Sequence, residues 1–417
     1  MKNLLSSQLL LCKVVLFTFG WLFPVNAQSD QTVIAAYSID WNPDGTKLVV
    51  STNEGLGIYD AELLRIQFRQ YPDEVSLSKW SPDGSKIIVG REIWDATNLN
   101  TLISLKTWWP YFMGWDAEGK RFFGISDDGQ GVAIYSVDTG MLLTTLKISE
   151  AAIIYNASWS PDNTKFALAI NNNRIVIIDA VRNLVIAEYN PAAYVGESSF
   201  TWSEDSQYLI YSDTVVKQET SASFQTASPN AASIHSLHIV EAISGREILK
   251  ISPIPFRPSI LEWNSHAKEL VGVSPNGIVI VWDSETGLIE QTFAIEGRIY
   301  GVSYSPFGGR LAIAIAPQAI LNADLRAQFS EPEYDYQISV DQSIGIVALD
   351  PSLEKLQSIL GLCGVGADIH EVLAAKIEAG DLEGFIADVS ALTDAQIPVG
   401  CKADLLAVAR ALAAEGE

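Results

Sequence analysis

Histidine and cysteine are scarce in this sequence, with four His and three Cys among 417 residues. Several motifs that reveal enzymes are also missing: there is no His-Glu-x-x-His, no Gly-x-Ser-x-Gly, no phosphate-binding glycine loop and no Cys-x-x-Cys. His235 and His238 fall three residues apart on one predicted strand, so we expect them to face opposite sides and not to share a metal ion. The sequence therefore predicts no catalytic residues, no metal site and no cofactor.

Basic residues are scarce relative to acidic ones: Lys and Arg total 27, Asp and Glu total 50, and the formal net charge is −23. A surface this acidic repels phosphate backbones, so nucleic acid is not an expected partner. The same charge favours solubility. With 48% hydrophobic and 18% charged residues, the composition is that of a globular chain and not of a disordered one.

The N-terminal region contains a short apolar run at residues 14–23. It is shorter than the roughly 20 residues that a membrane-spanning helix needs. Lys2 and Lys13 precede it, and the small-residue sequence Val-Asn-Ala follows at residues 25–27, as in a secretory signal. We expect residues 1–27 to be a cleaved signal peptide and the mature protein to be secreted or extracytoplasmic. The alternative is an uncleaved N-terminal anchor, and only then do we expect contact with a membrane.

One short motif recurs seven times and sets the period of the chain. Its fullest copy reads Trp-Ser-Pro-Asp-Gly at residues 80–84. Pro fixes φ for the second position of a turn, Asp suits the next position, and Gly can adopt the left-handed conformation that closes the turn. The copies are spaced 39, 35, 44, 43, 61 and 41 residues apart, and they begin at Trp41, Trp80, Trp115, Trp159, Trp202, Trp263 and Tyr304.

A second mark follows each copy: a short apolar run that ends in an acidic residue, as in Val281-Trp282-Asp283. A turn and a further apolar strand come next, so each unit reads as four antiparallel strands over about 40 residues, which is typical of a propeller blade. The sequence therefore predicts an all-β fold, a seven-bladed β-propeller of four-stranded antiparallel blades over residues 28–360. Its last outer strand is expected at about residues 353–360, and the motif aromatics are expected to pack between blades.

These two marks together resemble those of the WD-repeat family of β-propellers, and more closely its bacterial extracytoplasmic members with Trp-Ser-Pro-Asp-Gly turns. The resemblance covers roughly residues 32 to 360. The sequence departs from the usual eukaryotic pattern, because it has no regular Gly-His pair near the start of each blade. By analogy with the family, the resemblance implies a non-catalytic interaction scaffold.

The period changes in residues 361–417, where apolar residues recur at helical intervals. We predict a helical C-terminal unit of three helices near residues 372–379, 381–392 and 401–414, with capping-box spacing from Asp368 to Glu371. Cys363 and Cys401 are the cysteines left after removal of the signal. In an oxidising compartment they could form a disulfide bond, and the alternative is two buried thiols. We expect the ring to close by packing between its first and last blades, with help from the helical unit.

The loops that join the outer strand of one blade to the inner strand of the next all open on one face of a propeller. In this sequence they carry aromatic residues, which dominate binding hot spots. The alternative is that several of them pack between blades, although the adjacent Trp residues cannot both point into one core. The predicted binding residues are Tyr71, Trp108, Trp109, Tyr111, Tyr194, Phe256 and Tyr300.

The sequence thus predicts a secreted or extracytoplasmic, non-catalytic scaffold that binds a protein or peptide through one propeller face. One alternative is an extracytoplasmic enzyme of lactonase or hydrolase type, which should hold a metal or convergent acids in the central channel. The other is a carbohydrate-binding propeller, which should present coplanar exposed rings.

Overall fold

The computed structural model describes a subset of the chain, and all structural statements below concern that part. The described residues are 35–61, 63–71, 77–104, 114–116, 118–126, 131–147, 154–162, 164–170, 174–182, 184–191, 200–203, 205–216, 233–264, 268–274, 276–295, 297–316, 344–348 and 352–415. The predicted signal peptide, residues 1–27, lies outside them.

Antiparallel sheets of consecutive strands make up the described chain before residue 350. Six of them are four-stranded blades. Blades 1 to 3 consist of β1 (Ala36–Trp41), β2 (Lys47–Thr52), β3 (Gly55–Asp60), β4 (Arg65–Gln70), β5 (Ser78–Trp80), β6 (Lys86–Val89), β7 (Glu92–Asp95), β8 (Thr101–Ser104), β9 (Gly114–Trp115), β10 (Arg121–Ile125), β11 (Gly131–Ser136) and β12 (Leu142–Lys147). Blades 4 to 6 consist of β13 (Ile154–Trp159), β14 (Lys165–Ile170), β15 (Arg174–Asp179), β16 (Leu184–Tyr189), β17 (Phe200–Trp202), β18 (Tyr208–Val216), β19 (Ser233–Glu241), β20 (Glu247–Ile254), β21 (Ile260–Asn264), β22 (Glu269–Val273), β23 (Ile278–Asp283) and β24 (Ile289–Ala294).

The seventh sheet, which we call the closing sheet, has three strands in the described residues: β25 (Arg298–Tyr304), β26 (Arg310–Ala316) and β27 (Ile344–Ala348). The prediction of seven four-stranded blades is therefore wrong, because the structure has six. The predicted outer strand at residues 353–360 is instead a helix. Ser352 caps it by accepting a hydrogen bond from Lys355 N at 3.1 Å, and the buried Leu356, Ile359 and Leu360 follow helical spacing.

First strands of neighbouring sheets contact one another at β1–β5, β9–β13, β13–β17, β17–β21 and β21–β25, and β1 also contacts β25. These inner strands therefore surround a central channel, as in a β-propeller. The motif aromatics pack between blades, as predicted. Trp80 lies in a core with Val49 and Leu56 of blade 1, and Trp159 lies in a core with Phe123 of blade 3. Each blade thus buries one face against its neighbour.

The repeated motif forms the turn between the first and second strands, as predicted. In blade 2, Ser81 Oγ donates to Asp83 Oδ1 at 2.6 Å, and the same oxygen accepts a hydrogen bond from Ser85 N at 3.0 Å. Gly84 closes the turn at φ +70°, a conformation that favours glycine. The same serine-to-aspartate bond recurs in blades 4 and 5, from Ser160 to Asp162 and from Ser203 to Asp205.

Four helices follow the closing sheet and form the helical unit: α1 (Leu353–Leu362), α2 (Ala367–Ala379), α3 (Leu382–Ala391) and α4 (Val399–Glu415). The three helices predicted over residues 372–379, 381–392 and 401–414 are present as α2, α3 and α4, and α1 is an additional helix where a strand was predicted. The predicted capping box is also wrong, since Gly366 precedes α2 and makes no side-chain capping bond. Gly380 ends α2 at φ +70°. In the described residues, no helix has the length and apolarity to cross a membrane.

The predicted disulfide bond between Cys363 and Cys401 is present, with a Cα–Cα distance of 5.6 Å. It joins the end of α1 to the first turns of α4. Around it, buried side chains from all four helices form one core, which includes Leu356, Phe385 and Leu405. The helical unit therefore has its own hydrophobic core and its own covalent link.

The ring closes by direct packing between blade 1 and the closing sheet, as the sequence led us to expect. Trp41 N donates to Ser303 Oγ at 3.3 Å, and Trp41 packs in a core with Ala312 of the closing sheet. The strands approach so closely that a Cβ on Gly301 would lie 3.3 Å from the backbone nitrogen of Ile39.

The helical unit supplies a carboxylate that the turn of the closing sheet lacks. Phe307 stands at the motif position that Asp occupies in blades 2, 4 and 5. Asp404 of α4 takes over that role, because its Oδ2 accepts hydrogen bonds from Ser305 Oγ at 2.6 Å and from Gly309 N at 3.1 Å. These donors occupy the same two turn positions as the donors to the motif aspartate in blade 2. Phe307 in turn packs against the core of the helical unit.

Asp404 also pairs with Arg310, and both side chains are buried, at 0% and 5% exposure. Arg310 then reaches across the ring closure: its Nη2 donates to the carbonyl oxygen of Gly45 at 3.1 Å, and its guanidinium lies 4.4 Å from the ring centroid of Trp41. A second buried ion pair joins Lys355 of α1 to Glu269 of blade 6. The helical unit therefore connects blade 6, the closing sheet and blade 1.

We expect Asp404→Ala to lower the free energy of unfolding by about 3–5 kcal/mol, because it leaves the guanidinium of Arg310 buried without its partner. Urea unfolding followed by circular dichroism measures the change. The matched control is Asp388→Ala, which breaks the more exposed pair of Asp388 with Lys376 in the same unit and should change stability by less than about 1 kcal/mol. Equal, small effects of both substitutions would contradict the role assigned to Asp404.

We expect Cys363→Ala/Cys401→Ala to lower the free energy of unfolding by about 3–4 kcal/mol. The disulfide bond spans 38 residues, and its removal restores conformational entropy to the unfolded chain. Thermal unfolding of the double variant and of the parent protein with reductant measures the effect, and the two should agree. A parent protein that unfolds at the same temperature with and without reductant would contradict this expectation.

Candidate functional site

The central channel is lined at one level by the residues that immediately precede the motif aromatics. Each lies on the first strand of its sheet, so the sevenfold repeat places them in a ring around the channel. All except the last are at least partly accessible to solvent. We call this set the channel ring; its members are Asp40, Lys79, Gly114, Ser158, Thr201, Glu262 and Ser303.

The charges of the channel ring fall on one side of it. Four consecutive positions of the ring are Glu262 of blade 6, Ser303 of the closing sheet, Asp40 of blade 1 and Lys79 of blade 2. Asp40 is fixed by two contacts: its Oδ2 accepts a hydrogen bond from Trp80 N at 2.8 Å, and its Oδ1 accepts one from Ser303 Oγ at 3.4 Å. The other three members are Gly, Ser and Thr, which are small and uncharged. The channel is therefore asymmetric.

The three charged groups influence one another across the channel. The charge of Asp40 is the largest cause of a raised pKa at Lys79, and Glu262 adds to it. Burial raises the pKa of Asp40. The charge of Lys79 and the hydrogen bonds that Asp40 accepts from Trp80 and Ser303 lower it, but burial has the larger effect. Burial also raises the pKa of Glu262 to about 7, where Lys79 lowers it and Asp40 raises it further. The three charged side chains come from first strands that are linked through contacts of β5 with β1, of β1 with β25 and of β25 with β21.

The carboxyl of Glu262 can gain or lose a proton near neutral pH, and it lies near the carboxyl of Asp40 and the ammonium of Lys79. A titratable group with a shifted pKa in a cleft is a candidate functional residue. In the part of the chain that the structure describes, no group of three or more His, Cys, Asp or Glu side chains is arranged to hold a metal ion. The channel thus contains the convergent acids expected of the enzyme alternative, together with a lysine.

A second polar cluster lies inside blade 5. His238 Nε2 is 3.0 Å from Asp213 Oδ2, its Nδ1 is 2.6 Å from Glu247 Oε2, and its ring stacks on Tyr211 with centroids 5.0 Å apart. Burial lowers the pKa of His238, but its hydrogen bonds to the two carboxylates and the charge of Asp213 outweigh burial, so the pKa is raised overall. His238 is 6% exposed, and each of its ring nitrogens lies within 3.0 Å of a carboxylate oxygen on a neighbouring strand, so it does not offer a site.

His235 contacts a different residue: its Nδ1 lies 2.9 Å from Thr214 Oγ1. Burial, followed by the charge of Arg257, lowers the pKa of His235. The two histidines therefore have separate environments, as their spacing predicts.

Three of the predicted binding residues are described. Tyr71 packs with its ring centroid 5.6 Å from that of Trp94, and Phe256 packs against the core between blades 5 and 6. Tyr300 is 37% exposed, and its ring meets that of Tyr37 edge-on at 5.5 Å. The other four predicted residues, Trp108, Trp109, Tyr111 and Tyr194, lie outside the described residues.

Strand direction places Tyr300 on the face opposite the helical unit. Tyr37 and Tyr300 lie near the starts of β1 and β25, whereas the motif turns that contact the helical unit follow the ends of these inner strands. Arg298 adds a positive charge there, with its guanidinium 5.0 Å from the ring centroid of Tyr300. We call the face at which the inner strands begin the open face.

Sequence reasoning did not find the channel ring, although a signal was present. When the seven motif copies are superimposed, the aromatic position and the turn keep their character, but the residue before the aromatic varies among Asp, Lys, Gly, Ser, Thr and Glu. The motif around this position is constant, whereas the residue at the position differs from blade to blade and lies at the channel. Such a position can determine which ligand binds.

Comparisons with known proteins support the fold. A chain of hydrazine synthase from Kuenenia stuttgartiensis superimposes with a TM-score of 0.58 at 12% sequence identity, covering 70% of this chain and 96% of that one. No family model matches the sequence, and no curated protein matches it. At this identity the structural likeness shows a β-propeller fold and carries no activity to this chain.

We expect Glu262→Gln to stabilise the protein above pH 7 by about 1–3 kcal/mol and to have little effect near pH 4. The folded carboxyl, with a pKa of about 7 against a usual value of 4.5, binds more protons than the unfolded one between these values. This group therefore lowers the free energy of unfolding as pH rises through that window, and Gln removes the effect.

Urea unfolding at pH 4, 6 and 8 measures the difference between variant and parent. Glu118→Gln, at a side chain that is 61% exposed, is the control and should show no comparable gain above pH 7. A difference for Glu262→Gln that is the same at pH 4 and pH 8 would contradict the raised pKa.

Proposed function

We propose that this protein is a secreted or extracytoplasmic, non-catalytic scaffold of the WD-repeat-like type, which binds a protein or peptide through its open face. The observation that carries this proposal is the asymmetry between the two faces. The helical unit covers the motif turns of the closing sheet and blade 1, whereas the open face presents Tyr300 and Arg298 at the channel mouth.

An exposed tyrosine beside an arginine is the kind of pair that dominates binding hot spots in protein interfaces. Tyr37 supports Tyr300 from the neighbouring blade and holds its ring at an interplanar angle of 84°. Such rings are not coplanar, so this pair does not favour the carbohydrate alternative. The predicted aromatics Trp108, Trp109, Tyr111 and Tyr194 lie outside the described residues, and we propose them as further members of the same binding surface.

The proposed extracytoplasmic location rests on two features. The predicted signal at residues 1–27 would direct export, and the Cys363–Cys401 disulfide bond is the form that cysteines adopt in oxidising compartments. The fold likeness to a hydrazine synthase chain is compatible with either a scaffold or an enzyme subunit. The enzyme alternative depends on the channel.

We expect Arg298→Ala/Tyr300→Ala to abolish capture of a partner that the parent protein captures by cross-linking from an extract of its source cells. The matched control is Arg65→Ala/Phe68→Ala, which removes an arginine–aromatic pair of the same geometry (4.8 Å) and exposure from the outer strand β4. Trp108→Ala/Trp109→Ala tests the remainder of the face. A specific partner retained by both open-face variants, or lost equally in the control, would contradict the proposal.

A further inference from the structure

We propose that the central channel is a second binding site, which takes a small zwitterion whose ammonium lies between the carboxyls of Asp40 and Glu262 and whose carboxylate meets Lys79. This site is independent of the open face. It would be occupied by a free small molecule carrying both charges, such as an amino acid.

The first argument is the contrast between the solvent-accessible charges of the channel and the buried ion pairs of this protein. Arg310 with Asp404 and Lys355 with Glu269 form closed pairs in direct contact. Lys79, by contrast, forms no ion pair within 4.0 Å with any described residue, although Asp40 and Glu262 lie near enough to shift its pKa. A lysine with a purely structural role would close onto one of these carboxyls, as Lys355 does.

The second argument is how the groups are held. Asp40 cannot easily turn toward Lys79, because Trp80 N and Ser303 Oγ fix its two oxygens. Glu262 forms no hydrogen bond through its side chain with the described residues, and it is partly accessible to solvent. The strands therefore hold the carboxyls apart from the ammonium of Lys79. A ligand can contact both kinds of charge without any movement of the strands.

The third argument is the opposite wall of the channel ring. Ser158 and Thr201 have small, uncharged side chains, and Gly114 has none because the ring of Phe123 lies 2.6 Å from where its Cβ would be. This side of the channel ring therefore carries no charged side chain, and all the charge lies on the other side. The combination suits a compact ligand that is charged along one edge.

Charge balance selects the class of ligand. A divalent cation would find two carboxyls but would be repelled by Lys79, and a simple anion would be repelled by both carboxyls. A simple amine would leave Lys79 without a partner. A zwitterion satisfies both signs, and its ammonium favours the ionised form of Glu262, so that binding releases a proton near neutral pH.

Isothermal titration calorimetry of the full chain at pH 7 tests the proposal. The probes are glycine, 4-aminobutyrate and 6-aminohexanoate, which vary the distance between the charges, with methylammonium and acetate as single-charge controls. We expect at least one zwitterion to bind at least about tenfold more tightly than either single-charge probe, as loss of one charged hydrogen bond implies. Titration in two buffers of different ionisation enthalpy should reveal proton release.

Lys79→Met and Glu262→Gln should each weaken that binding at least about tenfold. The exposed pair Glu118 and Lys120 provides the controls Glu118→Gln and Lys120→Met, which should leave it unchanged. Because the side chain of Lys79 is exposed, Lys79→Met is the variant least expected to affect folding, and circular dichroism verifies this. Absence of binding by all three zwitterions to the parent, or binding that survives both channel substitutions, would overturn the proposal.

Discussion

One carboxylate, that of Asp404, determines how the two ends of the propeller meet. It accepts hydrogen bonds from Ser305 and Gly309 and pairs with Arg310, which in turn contacts blade 1 through Gly45 and Trp41. Burial of an arginine and an aspartate is tolerated only when each satisfies the other. The closing sheet, the first blade and the helical unit are therefore all joined by one buried ion pair, and the shape of the channel depends on the ring that this pair helps to close.

The features that the sequence predicted correctly are those whose interactions are local. The turn motif keeps its hydrogen bonds within five residues, and the strands on either side pair through it, so composition and period were sufficient. The closing sheet could not be read this way, because the partner of its turn lies 99 residues further along the chain. The sign of this distant partner in the sequence was Phe307, which stands where other copies of the motif have aspartate. The helix α1 was mistaken for a strand because its apolar residues fell where the repeat placed an outer strand.

The candidate sites were predictable to different degrees for a similar reason. Aromatic residues near predicted loops are conspicuous in a sequence, and Tyr300 was predicted in that way, although it lies on β25 and its role in binding stays a prediction. The channel ring has no local motif, since its charged members come from separate repeats more than 30 residues apart. Their proximity is a property of the circular arrangement, which brings Glu262 of blade 6 near Asp40 of blade 1. The spacing of these residues in the sequence does not predict that they lie close together unless the number and order of the sheets are known.

The contact between Arg310 and Gly45 spans 265 residues, and its stabilising partner Asp404 follows later still. Contacts of such sequence separation form slowly, because the entropy of closing a long loop must be overcome first. During synthesis, the first blade emerges from the ribosome long before the helix that fastens it. The full set of contacts at the ring closure can therefore form only after α4 has been synthesised, because Asp404 belongs to that helix.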